Sequence, residues 1–411
     1  MIAKLHAVVT GRRGFAIFLA SVLVAACVLR ILYPNAPSND DVKEQLWLSV
    51  DWRLGYGSGA NPPLFSWLVK IVNAAVGSTL VAVELVRFAL LWTFCMLSAH
   101  VVRVMTGDAR LAPLAGLAPL AVFAIGWEGL FRHSNTMLLI VSIPMTIAAL
   151  LRLDRRDDWS GYLMFAAATS FGFYSKYNYA IVWLALCAAA LMDGQLRARL
   201  LHRRMMAALL VALLLLSPVL FWAAEHVDAI LGHGRLRLNM RPTYSAVPAA
   251  VSALVDLVAA AAGLVMPLFA ILLVLCPRAF LLAIPPDGGD RTRWHGVLVR
   301  YLLIVAAVLV ASVFVFGMAH FQTRYVYVMA PVLTLAFLRL AAAGLDERRR
   351  QWLAATLVVV ILLVIAGTAL RGVTYAARKA SAAPARPACT AAMPQSCPAP
   401  GQETPAAAPP G

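Results

Sequence analysis

Residues 38–68 read SNDDVKEQLWLSVDWRLGYGSGANPPLFSWL. The segment follows directly on an apolar run, Phe15 to Leu32, and leads into further ones. It places four carboxylates, Asp40, Asp41, Glu44 and Asp51, beside a hydrophobic stretch of membrane-spanning length. A purely structural membrane protein has little use for such a cluster, so it points to chemistry at a membrane face. Val42, Leu46, Trp47, Val50 and Leu54 recur near helical spacing, and Pro62-Pro63 open a second apolar stretch through Leu64, Trp67, Leu68 and Ile71. The spacing predicts two short interfacial helices on either side of a Gly-rich turn.

Working outward, 62% hydrophobic residues, 13% charged residues and a mean hydropathy of +0.80 exclude a soluble globule. A net charge of +16 could suggest nucleic acid, but the basic residues sit in short clusters between apolar runs rather than on one domain. They read as membrane-orientation signals, and no nucleic-acid partner is expected. Backbone groups in hydrocarbon must pair internally, and long apolar runs without strict alternation select helices over a barrel. The expected fold is an all-α polytopic membrane protein. The first run is preceded by Lys4, Arg12 and Arg13 and resembles a signal peptide, but no small-x-small cleavage site follows, so it reads as a retained helix.

Apolar runs near 14–32, 79–101, 110–127, 135–151, 160–174, 177–192, 205–222, 249–275, 297–317, 325–343 and 352–370 give eleven expected spans. The join at Ser175 to Tyr179 decides the parity, because there Ser-Lys-Tyr-Asn-Tyr interrupts one long apolar stretch. With the N-terminus inside, every cytoplasmic connection is basic, from Arg103 and Arg110, through Arg152, Arg155 and Arg156, to Arg348, Arg349 and Arg350. Residues 1–370 then form one transmembrane unit with a first outer loop at 33–78, in a plasma membrane, with the C-terminus outside. The Ala/Pro-rich tail from 371 to 411 is expected to be disordered. Its Cys389 and Cys397 have the option of a disulfide in an oxidising periplasm, whereas Cys27, Cys95, Cys187 and Cys276 read as packing residues.

This topology collects further polar groups on the outer side. They are the stretch from Trp127 to Asn135, which contains Arg132 and His133; Ser175-Lys176-Tyr177-Asn178-Tyr179; Glu225 to Asp228 with Arg235, Arg237 and Arg241; and His320 to Tyr325, which includes Arg324. A helical bundle can bring such loop ends together around one polar cavity.

On these residues the chain resembles the membrane glycosyltransferases of the GT-C class. The acidic pair after the first span, Asn61-Pro62-Pro63-Leu64 leading into Trp67-Leu68, Gly172 to Tyr177, and Arg324-Tyr325 followed by Pro331 carry the likeness, which covers roughly residues 10 to 345. It is closest to the bacterial branch related to protein O-mannosyltransferases and the lipid A aminoarabinose transferase, with the rhizobial lipopolysaccharide sugar transferases. The resemblance implies a polyprenyl-phosphate-linked sugar as donor, a glycolipid or glycan as acceptor, and an inverting single displacement on the periplasmic face.

An acceptor hydroxyl needs a base, and Asp40 or Asp41 occupies the position of the family's first-loop acidic motif. The departing lipid phosphate needs cations or hydrogen-bond donors, for which Lys176, Arg324, Arg132 and Lys43 with Tyr177 and Tyr325 are the candidates. Glu44, Asn61, His133, Asn135 and His320 are the expected acceptor and sugar contacts. Where the aminoarabinose-transferase branch has Glu-Lys before the first-loop proline, this chain has Ala60-Asn61, which removes one phosphate-binding Lys. Many relatives carry an acidic residue after the third span, where this chain has His133 and Asn135. No cofactor is assigned; a divalent ion, if used, would fall to Asp41 with His133.

Simpler readings stand beside these. Asp41-Val42-Lys43-Glu44 fits a capping box, though that would not account for Asp40. Lys176 fits a snorkelling side chain, and Arg324 an interfacial anchor. Arg235, Arg237 and Arg241 suit anionic headgroups. The rival class is a transporter or flippase, which should show charges or broken helices near the midplane and often an internal repeat. The chain shows no clear repeat, and its ionisable residues gather at span ends on one side.

Overall fold

The apolar runs fold as helix over most of their length, as hydrocarbon demands of a backbone that must satisfy its own hydrogen bonds. A computed structural model describes the backbone of residues 2–33, 40–55, 61–131, 133–238, 244, 246–281 and 289–382; the side chains of residues 4, 12, 40–43, 233–238, 281 and 379–382 lie outside the description. In chain order the helices are α1 (Ile2–Thr10), α2 (Arg12–Leu32), α3 (Asp40–Leu48), α4 (Leu64–Val76), α5 (Thr79–Thr106), α6 (Leu111–Leu117), α7 (Gly129–Phe131), α8 (Asn135–Arg155), α9 (Trp159–Ser175) and α10 (Tyr179–Leu191). There follow α11 (Gly194–Leu200), α12 (Arg203–Glu225), α13 (Val227–Leu238), α14 (Ala249–Val265), α15 (Leu268–Leu275), α16 (Arg278–Leu281), α17 (Asp290–Val315), α18 (Pro331–Ala342) and α19 (Glu347–Ala382). No strand occurs among the described residues, and the chain is an all-α polytopic membrane protein.

Six of these helices are long and apolar enough to cross a bilayer, and eight if two bent pairs each count as one span. One bent pair is α10 with α11, and the other is the 3-10 segment Thr323–Met329 with α18. The remaining predicted runs are helical but shorter. The break expected at Ser175 to Tyr179 is present: α9 ends at Ser175 and α10 begins at Tyr179.

Two predicted spans are interrupted midway, and they meet. After α6 and the 3-10 turn Ala118–Ala121, Val122 is extended, followed by a π-helical segment Phe123–Glu128. In the other, Met266 and Pro267 separate α14 from α15. Val122 bridges Pro267, and the Phe123 N–H donates to the Met266 carbonyl at 2.9 Å. Each break thus satisfies backbone groups that the other frees, which irregular chain buried in a bundle requires. The Tyr327 hydroxyl caps a further carbonyl, that of Ala124.

The bundle has two chemically different ends. At one, the basic connections are matched by carboxylates: Arg350 meets Asp108 at 2.8 Å, Arg110 and His6 meet Glu347 at 3.4 and 3.2 Å, and Arg199 meets Asp157 at 2.9 Å. Arg293 there reaches Asp154 and Asp193. At the other end the first loop lies on the bundle, with α3 against α4 and α5, and α4 against α5, α8 and α9.

The structure corrects the sequence reading in two places. α19 runs beyond Arg371 to Ala382, because Ala376, Ala377, Ala380 and Ala382 sustain a helix past the apolar run. Residues 383–411, with Cys389 and Cys397, lie outside the described residues. And α3 begins at Asp40, which places Asp41 inside the first turn rather than at the cap, so the capping box with Glu44 is out of register.

Candidate functional site

The site is assembled from helix ends. Gly172 on the last turn of α9 has the Tyr179 ring pressed against it: a Cβ there would come within 2.2 Å of Tyr179 Cζ. That close approach seats the Tyr179 hydroxyl 2.7 Å from Thr146 Oγ1, deep in α8. It also holds the tight turn Lys176-Tyr177-Asn178 at the junction of α9 and α10. Lys176, half-buried, donates from Nζ to Thr136 Oγ1 on the first turn of α8 at 3.0 Å. His133, just before α8, is buried with its ring 5.2 Å from that of Tyr327. The 3-10 segment Thr323–Met329 in turn packs on α8, α10 and α14. Three of the four polar groups predicted to converge therefore do so. The fourth joins them indirectly, through Trp222 at the end of α12, whose ring stacks on His226 at 4.5 Å and abuts Gly55 of the first loop.

The first loop lies over this junction. Trp67 of α4 packs 5.7 Å from Tyr174 and donates from Nε1 to the Arg53 carbonyl. Gln45 of α3 is buried and accepts from Ser66 at 2.7 Å. Asp51 pairs with Arg53 at 2.9 Å in solvent, as an interfacial charge should. Glu44 on α3 and Asn61 ahead of α4 are half-buried. The remaining predicted residues of this loop, Asp40, Asp41 and Lys43, have their backbone on α3, against α5, while their side chains lie outside the described residues, as does Arg132.

Among the described residues, the hydroxyls of Tyr177 and Tyr325 and the amide oxygens of Asn135 and Asn178, all around the junction, are buried without a hydrogen-bond partner. Orphaned polar atoms are costly in a folded interior and rare unless something binds there. Arg324 lies 5.8 Å over the Tyr325 ring, on the same short segment. Among the described residues no three His, Cys, Asp or Glu side chains are grouped to hold a metal; of the Asp41–His133 pair only the His133 side chain is described.

Sequence reasoning missed a second layer. Glu84 and Arg87, on the first turns of α5, form a buried cluster with Arg30 at the end of α2: Glu84 accepts from Arg30 at 2.9 Å and from Arg87 at 2.7 Å. Arg87 also donates from Nε to the His133 carbonyl at 3.0 Å, fixing the turn before α8. The other omission is Asp256, buried in α14, whose Oδ2 lies 2.7 Å from His320 Nδ1. All four residues interrupt or end apolar runs, and an ionisable side chain in that position is itself a functional signal.

With this arrangement in view, the known proteins it resembles can be compared. Over 89% of its length the chain superimposes on ArnT from Cupriavidus metallidurans bound to undecaprenyl phosphate, covering 75% of that chain with a TM-score of 0.60 at 15% identity. The chain has the GT-C fold. Residues 60–222 match the dolichyl-phosphate-mannose-protein mannosyltransferase family. Two curated relatives, the lipopolysaccharide core galacturonosyltransferases RgtB and RgtA of Rhizobium johnstonii, are each 27% identical over 79% and 80% of this chain. The chain spans 66% and 65% of their lengths, just under two thirds.

Proposed function

We propose that this protein transfers a sugar from a polyprenyl-phosphate-linked donor to a hydroxyl of an envelope glycan, with lipopolysaccharide as the leading acceptor class. One observation carries the proposal most strongly: orphaned phenol and amide groups of Tyr177, Tyr325, Asn135 and Asn178 gather beside Lys176 and Arg324, with a first loop that bears four carboxylates lying over the junction. The donor phosphate is met by Lys176 and Arg324, with the Tyr177 and Tyr325 hydroxyls donating to its oxygens; such donors lower the barrier by stabilising charge as it develops on the leaving group. Asp40 or Asp41 takes the acceptor proton, and Asn135, Asn61 and His133 orient the sugar and acceptor hydroxyls. The site faces the periplasm and the N-terminus the cytoplasm of a bacterial inner membrane, a reading supported by the basic residues that concentrate at the opposite end of the bundle. Names of the relatives and of the structural neighbour support the donor and acceptor classes.

A transporter or flippase is the second reading, and the paired interruptions at Val122–Phe123 and Met266–Pro267 favour it, since discontinuous helices meeting inside a membrane are a transporter motif. Mass spectrometry of envelope glycolipids from cells with and without the gene separates the two. Loss of one sugar residue with the unsubstituted acceptor intact supports transfer; accumulation of an unaltered lipid on the cytoplasmic leaflet supports transport.

A further inference from the structure

We infer that Asp256 is a positioning residue that holds His320 as the proton donor to the departing lipid phosphate, an inference that rests on the glycosyl-transfer reading above. Asp256 lies two turns into an apolar helix, among the buried Ala253, Leu257 and Ala260, with 7% of its side chain exposed. A carboxylate there is expensive unless it is paired, and an apolar residue would fill the position at lower cost. Its partner comes from 64 residues away: His320 Nδ1 stands 2.7 Å from Asp256 Oδ2. The same oxygen lies 3.4 Å from the backbone N–H of Phe321, so ring and backbone are tied to one point on α14.

With Nδ1–H committed to a carboxylate, proton exchange with a ligand falls to Nε2. His320 keeps 23% of its side chain exposed and stands a few residues before Arg324 and Tyr325. The titratable and charged groups on the surrounding elements are Asp256 on α14, Arg324, Tyr325 and Tyr327 on the adjoining 3-10 segment, Tyr301 on α17 against that segment, His133 before α8, Glu128 at the end of the π-helical turn, and Lys176 and Tyr177 at the α9–α10 junction.

Atoms balance as follows. The acceptor oxygen forms its bond to the anomeric carbon as the bond from that carbon to the phosphate oxygen breaks, and the broken bond's electron pair stays on the phosphate. A first-loop carboxylate takes the acceptor proton. His320 Nε2–H gives its proton to the departing phosphate, leaving a neutral imidazole still donating from Nδ1 to Asp256. The proton held by the first-loop carboxylate returns to solvent and one from solvent recharges His320, so the protein ends each turnover unchanged.

The test uses undecaprenyl phosphate as the probe, with the neutral alcohol undecaprenol as control, on the whole protein in nanodiscs. Affinity is measured at pH 6 and pH 8 for the unaltered protein, His320→Gln, Asp256→Asn and Asp256→Glu. The phosphate's own second ionisation, near pH 6, is common to all variants, so the ratio between proteins is the readout. The unaltered protein should bind about tenfold more tightly than His320→Gln at pH 6 and within about twofold at pH 8, as loss of one imidazolium contact predicts. Asp256→Asn should resemble His320→Gln, and Asp256→Glu should restore most of the difference. A pH-independent ratio, with each variant monodisperse, overturns the dyad while leaving the transfer reading intact. Equal binding of the phosphate and the alcohol by the unaltered protein overturns both.

Discussion

At the scale of single residues, the Arg30–Glu84–Arg87 cluster and the orphaned tyrosines make opposite predictions. Glu84 neutralises two guanidinium groups in the buried interior, so Glu84→Gln leaves both uncompensated and should cost about 3–5 kcal/mol, read as a clear fall in thermal unfolding temperature in detergent. Arg53→Gln breaks a pair that lies in solvent and should stay within about 0.5 kcal/mol of the unaltered protein. The Tyr177 and Tyr325 hydroxyls have no hydrogen-bond partner among the described residues, so Tyr177→Phe and Tyr325→Phe should leave unfolding unchanged while lowering transfer about ten- to a hundredfold. A loss of stability equal to the loss of transfer would make these groups structural. Lys176 already has a fold contact in Thr136, which is why its replacement is the less informative experiment.

At the scale of elements, the α9–α10 junction depends on Gly172. A methyl group there would overlap the Tyr179 ring, so Gly172→Ala should cost about 1–3 kcal/mol and shift the Lys176–Asn178 turn, seen as lost transfer together with faster proteolysis at the junction. The α8–α9 connection, at the opposite end, sets an acid limit. The Asp157 carboxyl is held below its ordinary range first by the Tyr162 hydroxyl, which outweighs an opposing effect of desolvation, with smaller help from Arg199 and Arg204. A depressed folded-state pKa contributes stability that is present above the unfolded value, about pH 3.9, and is lost as pH falls through the folded value. Asp157→Asn should therefore flatten the stability profile below about pH 4 and reduce stability at neutral pH. An unchanged acid limb would show that the connection contributes nothing to it.

At the scale of the whole molecule, the helical, multi-span architecture was legible in hydropathy alone, because a bilayer leaves a chain few alternatives. So was the convergence of 127–135, 175–179 and 320–325, since alternating spans force connections of the same parity to one end. What hydropathy conceals is anything inside a run that remains apolar on average. Asp256, Glu84 and Arg87 are outvoted by their neighbours, and the breaks at Val122 and Met266 occur where side chains stay apolar while the backbone leaves the helix. Helix propensity beyond Arg371 was similarly hidden by the proline-rich composition that follows. The acidic pair of the first loop remains the element on which the proposed chemistry turns. Its most direct test is complementation of a strain lacking the gene by the unaltered protein, Asp40→Asn, Asp41→Asn and the double variant, each expressed to the same level in membranes, with mass spectrometry of the envelope glycolipids. The unaltered protein should restore the missing sugar and the double variant should not, with at least one single variant reduced about a hundredfold or more. Full restoration by the double variant would contradict a base on α3 and return those carboxylates to a structural role.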